Sequence, residues 1–284
     1  MELLKGSKKY VCPKCGKKRF VPFVDADGAI MQDGNGTMYG RCDRETSCGF
    51  FYRPTNFAPA IKVAQPQENN ATPICFDNSV LGGQFCVQNP LLQYLVATFG
   101  NADLIIRTLK EYNVTLSSDF VIWWQVTAAN AVRTGKVMWY DVTGHRRKDM
   151  PPTWAHKVPE LKKYITGGDE LRQCLFGEHL LQRYPDKEVA VVESEKTAII
   201  MTIVESRYLW LACGGSQMLK DEQRLQCLKG RHVTLFPDNG QFYNWQPIAR
   251  KHNFGIVCEM EDNYFNGGKD IADLFSDIYT YIIK

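Results

Sequence analysis

"EVAVVESEKTAIIMTIVESRYLWLACGG", residues 188–215, is the stretch whose reading decides the fold class. It opens on a short apolar, β-branched run that stops at Glu193. A helix-like segment, "SEKTAIIMTIVES", follows, and then a second apolar run, "RYLWLACGG". Runs this short, without alternation, read as strands buried on both faces, as parallel sheets require. The same rhythm continues downstream. "SQMLKDEQRLQCLKG" reads as a helix, "HVTLFPDNG" as a strand, "NWQPIARKHNF" as a helix, "GIVCEME" as a strand and "KDIADLFSDIYTYII" as a closing helix. A βαβα order of this kind predicts a largely parallel sheet with helices on both faces.

Ligands of an open parallel sheet sit outside the carboxyl ends of its strands. Two acids stand there, Glu193 closing "EVAVVE" and Asp238 closing "HVTLFPD". Asp270 and Asp273 follow the last strand in "GGKDIAD". Acids at helix starts are also ordinary caps, and that plainer reading suits Asp270 and Asp273. It suits Glu193 and Asp238 less well, because each ends a very apolar run. Carboxylates gathered on one rim are what Mg2+ or Mn2+ needs when a substrate contributes phosphate oxygens.

Upstream the chain changes character. A compact body is expected over residues 78–160, and in it "NPLLQYLVATFG" and "NADLIIRTLKEYNV" are two helical patterns with Asn or Asp as caps. "FVIWWQV" and "GKVMWYDV", separated by "TAANAVRT", read as a hairpin. Residues 54–77 carry four prolines and little periodicity, as an extended linker does. Residues 1–53 are rich in glycine and charge, with turn signals "DADG" and "QDGNG" between short apolar stretches, and predict small β-hairpins.

Ten cysteines in a chain without a signal-peptide pattern are not a disulfide framework, and a cytoplasmic protein is expected. Four stand apart by spacing: Cys12 and Cys15 in "CPKCG", Cys42 and Cys48 in "CDRETSCG". Two close pairs can offer four thiolates to one tetrahedral Zn2+, and Gly16 and Gly49 allow the tight turns after each pair. A segment so poor in apolar residues needs such a staple. No run of about 18 apolar residues occurs, so no membrane partner is expected.

With 44% hydrophobic and 23% charged residues the composition is that of a globular protein, and the net charge of +3 is too small to argue for a polyanion. Its distribution says more. Lys14, Lys17, Lys18 and Arg19 cluster by the first cysteine pair, and Arg133, Lys136, Arg146, Arg147 and Lys148 lie in and after the hairpin. Such clusters suit a phosphate backbone, although either alone is more often a solvated surface. Trp123, Trp124, Trp139 and Tyr140 could stack bases, but strand alternation makes most of them core residues.

"VVESEKTAII", "WLACGGSQML", "RHVTLFPDNG" and "GGKDIADLF", in this order, resemble the Toprim domain of primases, topoisomerases and some nucleases. The likeness is greatest to phage-type primases. These also place a zinc ribbon and a basic subdomain, similar to "VIWWQVTAANAVRTGKVMWYDVTGHRRK", ahead of Toprim. "RTGKVMWYD" and "QCLFGEHLL" are similar to Toprim-like proteins of mobile elements. The resemblance implies an α/β protein: a zinc ribbon at 1–53, a linker at 54–77, a primase-like α+β subdomain at 78–160 and a Rossmann-like Toprim domain at 161–284. It implies Glu193 as acid/base, Asp238 as the first metal-binding aspartate, Glu195 as the second glutamate of the first turn, and Lys269, Asp270 and Asp273 as the closing element. Ala272 stands where asparagine is usual. Lys196 and Lys269, beside these acids, are expected on phosphate. Gly240 occupies the place of the second acid of a D-x-D turn, so the carboxylate set is one short.

The function implied is primer synthesis: Mg2+- or Mn2+-dependent joining of ribonucleotides on single-stranded DNA, in replication of a phage or mobile element. The sequence has no G-x4-G-K-[ST] loop, so unwinding would fall to a separate helicase. The alternative is a primase-derived protein that binds single-stranded DNA or a replication partner without chemistry. A Toprim nuclease is disfavoured by the zinc ribbon.

Overall fold

The computed structural model describes residues 2–5, 8–43, 48–53, 72–258 and 270–282. The expected linker lies mostly outside the described residues, and Lys269 lies wholly outside them. The chain divides into two compact units, Met1–Asn69 and Asn70–Lys284.

The first unit is a small antiparallel β-structure. Its strands are β1 (Glu2–Leu3), β2 (Tyr10–Val11), β3 (Lys18–Val24), β4 (Gly40–Cys42) and β5 (Phe51–Tyr52). β3 is central and pairs with β1, β2 and β4, while β5 pairs with β4. The two turn signals work through their aspartates. Asp25 Oδ1 accepts from the amides of Asp27 and Ala29, and Asp33 Oδ1 from those of Asn35 and Thr37. A short carboxylate that satisfies turn amides makes the reversal local. Among the described residues the buried core cluster holds only Cys12, Phe20 and Cys42, with Tyr10, Cys15, Met38, Cys48 and Phe50 packed against it.

The second unit contains two sheets. The antiparallel one is built from β6 (Cys75–Phe76), β7 (Thr115–Leu116), β8 (Val121–Val126), β9 (Val132–Met138), β10 (Thr153–Trp154) and β11 (Ile165–Gly167). Its strand order is β11-β6-β9-β8-β7, with β10 also on β9. The sheet thus runs from Cys75 to Gly167 and takes in residues on both sides of the boundaries expected at 78 and 160. Between its strands lie α1 (Pro90–Phe99) and α2 (Ala102–Glu111), whose caps are Asn89 and Asn101. Each asparagine accepts an amide of its own first turn, Leu91 and Leu104 respectively.

The parallel sheet follows α3 (Leu180–Arg183). Its strands are β12 (Val189–Val192), β13 (Leu209–Ala212), β14 (Val233–Leu235) and β15 (Gly255–Ile256), in the order β13-β12-β14-β15. All three pairings are parallel. Every residue of β12 and β13 is buried, which explains why neither alternates. The connecting helices are α4 (Glu195–Val204), α5 (Glu222–Leu225), α6 (Phe242–His252) and α7 (Ile271–Ile282). The long helix expected after "LACGG" is instead three short pieces: a 3-10 turn at Met218–Lys220, then α5, then a second 3-10 turn at Gln226–Leu228. The cause is Asp221, whose extended backbone and side-chain bond to the Gln223 amide start a new helix in the middle of the run.

The turn after β9 is close to α1. Gly144 has φ +76°, and a Cβ there would lie 2.5 Å from ring carbons of Tyr94. Gly144→Ala should therefore destabilise the second unit by about 1–3 kcal/mol, from backbone strain and the clash together. Thermal unfolding checks this, and an unchanged midpoint would contradict it.

Candidate active site

The sheet order places β12 between β13 and β14, so the chain changes direction across the sheet between β12 and β14. That switch point is where a crevice opens at the strand ends. Glu193 directly follows β12, and Asp238 follows β14 by three residues. The two acids therefore flank the crevice. Asp270 joins them from the start of α7, and the three line one cleft of about 400 Å³ with Lys136, Arg146, Glu195 and Lys196.

Each acid is positioned by backbone or by a neighbouring helix. Glu193 sits half-buried ahead of the α4 cap, Ser194, and accepts from the Ser216 amide. Asp238 begins a turn in which its carbonyl accepts the Gln241 amide. Asp270 and Asp273 exchange bonds, each carboxylate accepting the other's amide, at 3.0 and 3.1 Å. This is the capping role expected of them. Asp270 does more, because its second oxygen accepts the Thr197 hydroxyl of α4.

Burial and mutual repulsion act on the three acids together. Burial, then the fields of Asp270, Glu193 and Asp273, raise the Asp238 carboxyl to about 8. Glu193 is raised too, by burial first and with contributions from Asp270 and Glu195, against the lowering effects of the Ser216 amide and Lys136. Asp270 is raised by burial and by Asp273, against the Thr197 hydroxyl and Lys196. Like charges that resist joint ionisation are what a divalent cation relieves. The donors are hard carboxylate oxygens and fit Mg2+ or Mn2+. They do not form a closed cage. Among the described residues the cysteine quartet alone brings three or more ligand atoms within 4.8 Å of one another. Mg2+ sites with one or two carboxylates and substrate phosphates have this open character.

The expected cations divide. Lys136, Arg146 and Lys196 are at the cleft. Lys196 Nζ donates to the Gly144 carbonyl at 3.0 Å. Lys136 Nζ donates to Glu195 Oε2 at 3.1 Å and to the Gly214 carbonyl at 3.2 Å. Arg133 turns its guanidinium to Cys75 Sγ at 3.1 Å, and Arg147 pairs with Asp149. Lys148 is exposed, as are Lys14, Lys17, Lys18 and Arg19 in the first unit. Of the aromatics, Trp123, Trp124 and Tyr140 are buried and Trp139 is partly so.

Gly240 follows Asp238 by two positions at φ +82°, with open space where a Cβ would project. The backbone conformation, not crowding, disfavours a side chain there, so an aspartate would be strained. Sequence reasoning missed three parts of the site: the Lys136–Glu195 pair, the Thr197 support of Asp270, and the Gly214–Gly215 turn that lines the cleft. A glycine pair directly after an apolar run was the available signal for the last of these.

In the first unit the Sγ atoms of Cys12, Cys15, Cys42 and Cys48 all lie within 4.8 Å of one another. The Cys12–Cys48 and Cys15–Cys42 separations are 3.7 and 3.9 Å. A tetrahedron with Zn–S bonds of about 2.3 Å has edges of roughly 3.8 Å. Gly16 and Gly49 have φ +68° and +63°, as the turns after each pair require. The quartet fits Zn2+.

Fold and site together define a mixed α/β protein with an N-terminal four-cysteine zinc ribbon and an acidic cleft at the switch point of a parallel sheet. The chain belongs to the family of the domain of unknown function DUF6371, whose model matches residues 89–239. A zinc beta-ribbon finger model matches residues 1–61. No curated protein matches the chain. Among solved structures it is similar to the primase fragment of the bacteriophage T7 primase-helicase protein, at 14% identity and a TM-score of 0.45 over 99% of this chain and 98% of that one. It is also similar to the RNA polymerase domain of Mycobacterium tuberculosis primase DnaG, at 13% identity and a TM-score of 0.39 over 68% and 75% of the two chains. A DnaG primase catalytic domain bound to single-stranded DNA is similar at 9% identity and a TM-score of 0.35, over 73% and 67%.

Proposed function

We propose that this chain is a primase-like nucleotidyltransferase of the Toprim type, which joins ribonucleotides on single-stranded DNA in the replication of a phage or mobile element. The observation that carries this reading is the meeting of Glu193, Asp238 and Asp270, from three separate elements, in one cleft rimmed by Arg146 and Lys196. Phosphoryl transfer needs little covalent help from a protein; it needs positioned charge and a proton acceptor. Glu193 is that acceptor. It takes the proton of the attacking 3′-hydroxyl as the new P–O bond forms and the bond to pyrophosphate breaks. Burial raises its proton affinity above that of an ordinary carboxylate, in the direction a proton acceptor needs. Asp238 and Asp270 would hold Mg2+ or Mn2+, which when bound neutralises phosphate oxygens. Arg146 and Lys196, in the same cleft, would meet the phosphates. The zinc ribbon, with Lys14, Lys17, Lys18 and Arg19, would engage the template strand, and a separate helicase would open it.

A second reading, binding without chemistry, is favoured by Gly240, where the family pattern has an acid. One experiment separates the two. Zinc-loaded protein is incubated with labelled ribonucleotides, single-stranded template and Mg2+ or Mn2+. Short RNA products are expected. Arg146→Ala with Arg147→Ala should weaken single-stranded DNA binding and lower the salt slope by about one to two. DNA binding without any product, under either metal, would favour the second reading.

A further inference from the structure

The Lys136–Glu195 pair has no role in the scheme above, and it lies inside the same cleft. Glu195 is buried in the first turn of α4, and its side chain is 2% exposed. Its Oε2 accepts from Lys136 Nζ at 3.1 Å. Its Oε1 has no hydrogen-bond partner and lies against the Gly214 backbone, where a Cβ would be 3.3 Å away. Lys136 reaches it from β9, 59 residues away in sequence, and its second bond, to the Gly214 carbonyl, fixes the ammonium in place. A cation on Glu195 Oε2 would have to displace this ammonium or sit beside it. The cleft lining carries four carboxylates against Lys136, Arg146 and Lys196. One divalent ion is enough to reverse the sign of that balance before any substrate phosphate arrives. Gly240, two positions after Asp238, supplies no further carboxylate.

We infer that the cleft takes one divalent cation, on the Glu193, Asp238 and Asp270 side, and that the Lys136 ammonium is the built-in second positive charge, held on Glu195. This rests on the reading of the cleft as a Mg2+ or Mn2+ site and goes beyond it in assigning the number of ions and the role of Lys136. Two-metal sites clamp the attacking and leaving oxygens with a pair of ions about 4 Å apart. Here a fixed side chain stands for one of the pair.

The test is Mn2+ binding to the full, zinc-loaded chain without nucleotide, counted by electron paramagnetic resonance. Wild type should bind one Mn2+. Glu195→Gln, which keeps the shape and can still accept from Lys136, should bind one Mn2+ with Kd changed by less than about tenfold, below even the roughly 10–100-fold loss typical of removing an outer-shell partner of a metal ligand. Lys136→Met should expose the Glu195 charge and admit a second Mn2+, which Lys136→Met with Glu195→Gln should lose again. Two ions in wild type, or loss of the ion in Glu195→Gln, would overturn the inference and leave the metal reading of the cleft intact. No Mn2+ on folded wild type would overturn both. If Lys136→Met does not fold, the wild-type count and Glu195→Gln still decide.

Discussion

Cys12→Ser with Cys42→Ser should unfold the first unit and release its zinc. Among the described residues, the core cluster of this unit buries only Cys12, Phe20 and Cys42, and two of these three are themselves cysteines of the quartet. Outside that cluster the unit buries Val21, Phe23 and Val24 of β3 among the described residues, and so small a core offsets little of the chain entropy. Structural zinc in small ribbons contributes roughly 10–16 kcal/mol of apparent binding free energy, well above the net stability of an ordinary domain of this length. Elemental analysis should read one zinc per wild-type chain and none in the double variant. Amide exchange should become fast across residues 8–43 and 48–53, while the second unit, which has a large core of its own, keeps its protection. A double variant that retained zinc would contradict the assignment of the quartet.

The second large effect is expected at Asp238. Its carboxyl is raised to about 8 in the fold, against an ordinary value of 3.8. Between these two values the folded state holds a proton that the unfolded state has released. Stability therefore falls as pH rises through that window, and the cost is complete above about 8. At about 1.4 kcal/mol per unit the penalty near pH 8 is a few kcal/mol. Glu193 and Asp270 share the field, so the titration belongs to the cluster. Asp238→Asn should therefore raise the unfolding midpoint of metal-free protein at pH 8 by several degrees, with the gain shrinking toward pH 4. The same substitution should lower primer synthesis at least about 100-fold and raise the Mg2+ requirement, because Gly240 offers no replacement acid. Stability gained and activity lost at one residue is the mark of a functional carboxylate. A variant less stable than wild type at pH 8 would show that Asp238 serves the fold instead. By the same linkage, divalent-ion affinity of the wild type should rise with pH up to about 8.

The sequence by itself determined what depends on near neighbours. Cys-x2-Cys, a following glycine and a second close pair specify a zinc quartet because ligand spacing within a turn is local geometry. Fully apolar runs such as "VAVV" and "LWLA" announced buried parallel strands, and Asn89 and Asn101 marked their helices because a cap acts on amides two or three residues away. The acids at Glu193 and Asp238 were legible as strand ends for the same reason. Local pattern misled in the long helix expected after "LACGG", where Asp221 satisfied a nearby amide and restarted the helix, and in the hairpin separator "TAANAVRT", whose last three residues already belong to β9. What only the tertiary structure decided was which distant groups meet. Lys136 reaches Glu195 across 59 residues and Thr197 reaches Asp270 across 73, and neither link leaves a periodic trace in the chain. Strand order did this work. Putting β12 beside β14 brought Glu193 and Asp238 to one crevice, and burial there, not residue type, raised the proton affinity of both.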